Sequence, residues 1–451
     1  MNTPNLPVTA ADFLQHIDDL HGDILQLRAK DYSDLVDADG HQYIDLVMEG
    51  GGTLGLALLG YLHVLESAGL RFIGIGGTSA GAISAIALAA ANTPAQPRVD
   101  KLIAALANMP MAEFVDGRKD GDSDAMEALQ AWLDGDASTL RKVWKTTQVL
   151  DNLSEIHALN RGVVFQRWMD TLLRGMNQGQ PMTVGALRER MNALPPLRVR
   201  DTADPEDFRS LPKDAPLWEN IQGVRHYLVR KQRDQLCVVT ADISTETKVH
   251  LPQMAELYWP QPDAVNVADF ARASMSIPGF FATFQQPSLP ANDATRALWQ
   301  QHTTWPDRCY EGAFLPKTHH FVDGGVLSNF PIDAFHNTSR VPLRPTLGVK
   351  LQWDEHNITV KGLPSVIGGA FNTARHAMDN EFIKKNPDYK RLVGYIDTGK
   401  ISWLDFGMAR DTKLKLFRLG AESAIDFLRG FDWVDYKRVR RTLVEAFADR
   451  A

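Results

Sequence analysis

Cysteine is nearly absent from this chain, with Cys237 and Cys309 the two thiols in 451 residues. Two cysteines in no metal-ligand spacing exclude a disulfide framework and fit a reducing compartment. No long basic block is present and the net charge is −7, which argues against a nucleic-acid partner. Long apolar runs are missing too. Leu54 to Leu65 and Ala80 to Ala91 are the longest, well short of the roughly 20 residues that span a bilayer. The amino-terminal MNTPNLPVTAADF has neither the basic nor the apolar region of a secretory signal. A cytoplasmic protein is therefore expected, with a peripheral place at membranes left open. There are no internal repeats or low-complexity tracts. A hydrophobic fraction of 44% is enough for a large core.

What the chain does have is concentrated between Tyr43 and Ala91. An apolar run (Ile44 to Met48) enters Gly50-Gly51-Gly52, and an apolar segment from Leu54 to Ala68 follows. A second run, Phe72 to Gly76, enters Gly77-Thr78-Ser79-Ala80-Gly81, and a small-residue helix leaves from Ala82. The order is strand, glycine loop, helix, strand, sharp turn, helix. Both turns fall at strand carboxyl ends, where open parallel sheets place their ligands. The second turn reads as a G-x-S-x-G nucleophile elbow, which lifts a serine hydroxyl into the open at a helix amino terminus. The glycine loop would then offer backbone N–H groups to an oxyanion. Leu54 to Ala68 is apolar on nearly every side and so expected to be buried, with His63 a core histidine.

Gly50-x-Gly52-x-x-Gly55 also fits a dinucleotide fingerprint. That fingerprint wants a carboxylate at the end of the next strand, whereas this strand ends Gly76-Gly77-Thr78 and Glu66 lies inside the preceding helix. Downstream, Phe321-Val322-Asp323-Gly324-Gly325 is a short apolar strand ending in Asp-Gly-Gly. An aspartate there can reach across the sheet top and take the serine proton with no histidine. His319 and His320 suggest a Ser-His-Asp triad, but His319 is about 13 Å of strand from Asp323. Adjacent histidines in a strand also face opposite ways, which disfavours a zinc site.

Taken together, Glu49-Gly50-Gly51-Gly52-x-x-Gly55, Gly77-Thr78-Ser79-Ala80-Gly81 and Asp323-Gly324-Gly325 resemble the patatin-like phospholipase family. The resemblance continues at Ala273-Ser274-x-Ser276-x-Pro278-x-x-Phe281, at Tyr395 to Gly399, at Leu404-Asp405-Phe406 and at Leu419-Gly420-Ala421. It implies an α/β fold: a three-layer α/β/α domain with a mainly parallel central sheet and a helical insertion. It also implies a serine acyl hydrolase of phospholipase A or lipid esterase type, with Ser79 as nucleophile, Asp323 as general base and acid, and Gly50, Gly51 and Gly52 as the oxyanion hole. Leu54, Thr78, Ala80, Pro278 and Phe281 are the expected pocket lining. No cofactor or metal is expected; the partners would be a lipid or phospholipid substrate and, transiently, a membrane surface. One departure is Leu54, where the family commonly has Arg or Lys. A non-catalytic lipid-binding or scaffold protein on the same fold remains the second reading, and a nucleotide-dependent oxidoreductase the third.

The expected organisation is an N-terminal helix and acidic linker over 1–40, a hydrolase domain over 41–430 and a C-terminal helix over 431–451. In the first, Phe13, Ile17, Leu20, Ile24 and Leu27 repeat at helical spacing behind a capping box at Thr9. The stretch 98–222 loses strand character. It offers amphipathic helices at Lys101–Met109, Asp124–Asp134 and Val163–Leu173, then a proline-rich irregular stretch, and it reads as an insertion or a lid. Helices are also expected at Ser365 to Lys385 and Asp411 to Arg429. Lys437, Arg438, Arg440 and Arg441 give the C-terminal helix a basic cluster, either a solvated face or a contact for anionic lipid.

Overall fold

In the computed structural model the described residues are 8–107, 109–114, 158, 160–200, 218–221, 224–227, 235–336, 341–352, 373, 384, 386–403 and 405–448. The helices expected at Asp124–Asp134 and Ser365 to Lys385 lie outside this set, apart from single residues of the second. The chain opens with α1 (Ala10–Gln15) and α2 (His21–Leu27), separated by a 3-10 turn, so the expected single helix is broken. Thr9 and Asp12 form the capping box. Phe13, Ile17, Ile24 and Leu27 enter the core. Arg418, Arg429 and Arg410 pair with Asp19, Asp23 and Asp12, so this segment packs on the body of the molecule.

The central unit follows: β1 (Leu35–Val36), β2 (Gln42–Met48), α3 (Gly55–Ser67), β3 (Leu70–Thr78) and α4 (Ala80–Ala91). All three strands are buried along their whole length, α4 is almost entirely so, and α3 buries nine of its 13 residues. Next come α5 (Val99–Ala107), α6 (Val163–Met176), α7 (Val184–Asn192), β4 (Leu197–Val199), β5 (Trp218–Ile221) and β6 (Val224–Tyr227). Then follow β7 (Leu236–Asp242), β8 (Thr247–Leu251), α8 (Val267–Ser274), β9 (Phe284–Pro287), α9 (Asp293–His302) and β10 (Thr318–Asp323). The chain closes with β11 (Thr346–Gln352), β12 (Val393–Asp397), α10 (Arg410–Gly430) and α11 (Trp433–Ala448).

The twelve strands among the described residues join one sheet, and it is mixed rather than mainly parallel. Among the described residues, the strands β12–β11–β2–β3–β7 pair in parallel. The flanking pairs β1–β2, β1–β4, β4–β6, β5–β6, β7–β8, β7–β10 and β9–β10 are antiparallel. Strands β4 and β5 fall inside 98–222, which corrects the expectation of a region without strands. They are only three and four residues long, too short to print an alternating pattern.

Ile44, Leu46 and Met48 of β2 join the main hydrophobic cluster with α3, α4 and α10. Val47 faces the other way, onto Phe330, Ile332, Tyr389 and Val393. On α11, Lys437 pairs with Asp34 at 2.7 Å and Arg440 with Asp388 at 3.2 Å, all four side chains buried. Half of the basic cluster thus points inward and docks the helix. Among the described residues no helix is long and apolar enough to cross a membrane.

Candidate active site

Ser79 stands between β3 and α4 with φ 53° and ψ −119°, in a region where side chains are strained. The flanking glycines let the turn close. A Cβ on Gly77 would fall 2.4 Å from the Gly81 carbonyl, and one on Gly81 would fall 2.2 Å from Met48 O. Although Ser79 is the first residue of the helix cap, its hydroxyl makes no capping bond. It therefore sits at the positive end of a twelve-residue helix with Oγ not committed to capping.

The glycine loop runs beside it. A Cβ on Gly50 would come 3.0 Å from Ser79 Cβ. The N–H of Gly50 donates to Asn329 O at 3.1 Å, and Asn329 Nδ2 donates back to Gly50 O at 2.9 Å. That commitment leaves Gly51 and Gly52, whose N–H groups carry no such bond among the described residues, as the loop's available donors. Gly52 has φ +53° and is pressed against Trp403, where a Cβ would lie 2.2 Å from the carbonyl oxygen. Thr53 N–H donates to the same oxygen at 2.9 Å. Just before the loop, the buried Glu49 carboxylate accepts from Leu351 N–H at 2.7 Å and pairs with Lys350 Nζ at 3.2 Å. Sequence reading missed both anchors, Asn329 and Lys350, because they lie about 280 and 300 residues downstream.

Asp323 arrives by an unexpected route. Strand β8 occupies one edge of β7 over residues 238–242. On the other edge, β3 pairs up to Thr78 opposite Val239, and β10 comes antiparallel from the far end to place Asp323 opposite Thr240. The two strands thus meet head-on, one register position apart. Asp323 Oδ1 accepts from Gly325 N–H at 2.7 Å, and its own N–H donates to Ser276 O at 2.9 Å. Both Ser79 and Asp323 are nearly buried, at 5% and 6% exposure.

The histidines go elsewhere. His319 Nδ1 bonds the buried Asp242 at 2.7 Å, its ring packed against those of Tyr258 and Trp299, and His320 Nδ1 meets Thr283 Oγ1 at 2.9 Å. Burial pushes the Asp242 carboxyl up, but its hydrogen bonds with His319, Thr245 and the Ser244 N–H together hold it below its ordinary range. His63 is half-buried and faces Asp100 at 3.7 Å. Glu66 caps α5, accepting from Arg98 N–H at 2.8 Å and Val99 N–H at 2.9 Å, so its carboxylate is engaged there rather than at the sheet top.

Of the expected lining, Thr78 is fully buried with its hydroxyl on Ser328 O at 2.9 Å, and Leu54 belongs to the main core cluster. Phe281 lies under the Arg272 guanidinium, 5.6 Å from ring centroid to carbon. Ala80 is buried beside Ser79 and Pro278 is half-buried. A crevice among the described residues, lined by Val184, Leu187, Met191 and Leu236, opens at the amino end of β7, away from Ser79.

The uncharacterized protein YqhO of Bacillus subtilis (strain 168) is 28% identical over 391 residues, 86% of this chain and 98% of its own length. Among solved structures, VipD from Legionella pneumophila overlays with a TM-score of 0.40 and 14% identity, over 89% of this chain and 71% of that one. The family model of the patatin-like phospholipases matches residues 46–336, a span holding the glycine loop, the Ser79 turn and Asp323. The chain belongs to the patatin-like phospholipase family.

Proposed function

We propose that this chain is a serine acyl hydrolase of lipid esters, with Ser79 as nucleophile and Asp323 as its proton acceptor and donor. The observation that carries the reading is the meeting at Ser79: a strained serine beside a glycine loop, with an aspartate strand ending one register position away. Ser79 Oγ attacks the ester carbonyl while the Asp323 carboxylate takes its proton. The N–H groups of Gly51 and Gly52 hold the oxyanion, and each such donor is worth about 3 kcal/mol of barrier. Gly50, whose N–H is given to Asn329 O, fixes the loop instead of donating to the oxyanion. Asp323 then protonates the leaving alcohol, and water repeats the cycle on the acyl-enzyme.

The substrate class is a lipid or phospholipid ester, as membership of the family suggests. The protein would meet the bilayer surface transiently. The test is fatty-acid release from mixed phospholipid and glyceride micelles by the wild type and by Ser79→Ala. The expected result is release by the wild type and a loss of at least about a thousandfold in the folded variant. Equal release by both proteins would overturn the assignment. No release by either would favour a lipid-binding protein on the same fold.

A further inference from the structure

We propose that Ser274 is a positioning residue for Ser79: its hydroxyl is inserted between β3 and β7 and fixes where the nucleophile stands relative to Asp323. The proposal rests on the reading of Ser79 and Asp323 given above. The β3–β7 ladder begins with Ile75 N–H donating to Gln235 O at 2.8 Å. Bonds in a parallel ladder recur every second residue, so Ser79 N–H falls due opposite Val239 O. That bond is replaced. Ser79 N–H donates to Ser274 Oγ at 3.0 Å, and Ser274 Oγ donates to Val239 O at 2.6 Å. The hydroxyl spreads the two strands by its own width just where β3 ends. The incoming end of β10 uses that place, for a Cβ on Gly324 would fall 2.2 Å from the same Val239 oxygen.

The same short segment also holds the aspartate. Ser276 O accepts the Asp323 N–H at 2.9 Å. Arg272, itself buried, locks the segment by donating from Nη1 to Ser276 Oγ at 2.5 Å and from Nη2 to Arg161 O and Ala282 O at 2.7 Å each. Residues 274 and 276 thus set the backbones of Ser79 and Asp323 from one rigid turn at the end of α8. Removing the Ser274 hydroxyl leaves a buried donor and a buried acceptor either unsatisfied or drawn together. Both outcomes shift Ser79 Oγ relative to Asp323, and displacements of that size are expensive in rate.

The experiment compares wild type, Ser79→Ala, Ser274→Ala and Ser274→Cys on a short-chain p-nitrophenyl ester, with melting temperatures measured alongside. Ser274→Cys keeps the volume and weakens the hydrogen bonds, and it serves if the alanine variant does not fold. The expected result is a fall in kcat on the order of tenfold to a hundredfold for Ser274→Ala, a smaller fall for Ser274→Cys, and KM unchanged in both. A full wild-type kcat in either folded variant, or a rise in KM with kcat intact, overturns the positioning role. Wild-type turnover no greater than that of Ser79→Ala overturns the nucleophile assignment itself, and the inference falls with it.

Discussion

Gly60 of α3 and Gly420 of α10 are related reciprocally, each facing the turn before the other: a Cβ on Gly60 would fall 1.8 Å from Phe417 O, and one on Gly420 would fall 1.8 Å from Ala57 O. Backbone meets backbone there, and α3 begins directly after the glycine loop. Gly60→Ala and Gly420→Ala should each destabilise the fold by about 1–3 kcal/mol or more, because neither helix can yield alone. Denaturant midpoints check this. Unchanged midpoints would show that the helices separate freely.

The pH dependence of stability should contain a component from His250. Burial, helped by the charge of Lys248 and opposed by Asp333, holds its imidazole down at about 4, from an ordinary 6.5. The unfolded chain therefore binds this proton more readily than the folded one. The contribution is complete above pH 6.5 and is lost as pH falls towards 4, with a slope of at most about 1.4 kcal/mol per pH unit. His250→Gln should flatten the melting-temperature profile in that window. Parallel profiles would contradict the buried neutral imidazole.

The unit from β2 to α4 was legible in the sequence because each boundary is marked by glycines and each element by an apolar run. The mixed sheet was not, because alternation along Phe321 to Asp323 does not encode strand direction. The inserted hydroxyl of Ser274 was illegible for a related reason: it replaces a ladder bond through a residue 195 positions away. The inward-facing charges of α11 were hidden because their partners, Asp34 and Asp388, lie 403 and 52 residues off. Local pattern reveals a basic helix face, while only tertiary pairing decides which of its charges are solvated.

Leu54 carries an expectation about substrate charge. It is buried in the main cluster where the family commonly has a basic residue, so it offers no cation beside the glycine loop. Charge-assisted pairing in a partly desolvated site is worth roughly 1.5–3 kcal/mol, or tens- to hundredfold in preference. A neutral glyceride and an anionic phospholipid with the same acyl chain, in equivalent micelles, should be hydrolysed at comparable rates. A hundredfold preference for the anionic substrate that survives high salt would contradict this.

The central claim is that Asp323 activates Ser79 directly, and fluorophosphonate labelling tests it most directly. The site of labelling is mapped by peptide mass and the rate is compared between the wild type and Asp323→Asn. Asparagine keeps the shape of the side chain, and its amide oxygen can still accept from Gly325 N–H, but it cannot take the proton. The account predicts labelling of the wild type at Ser79 and a rate for Asp323→Asn lower by about a thousandfold or more. No label on Ser79 in the folded wild type, or equal rates in the two proteins, would contradict it.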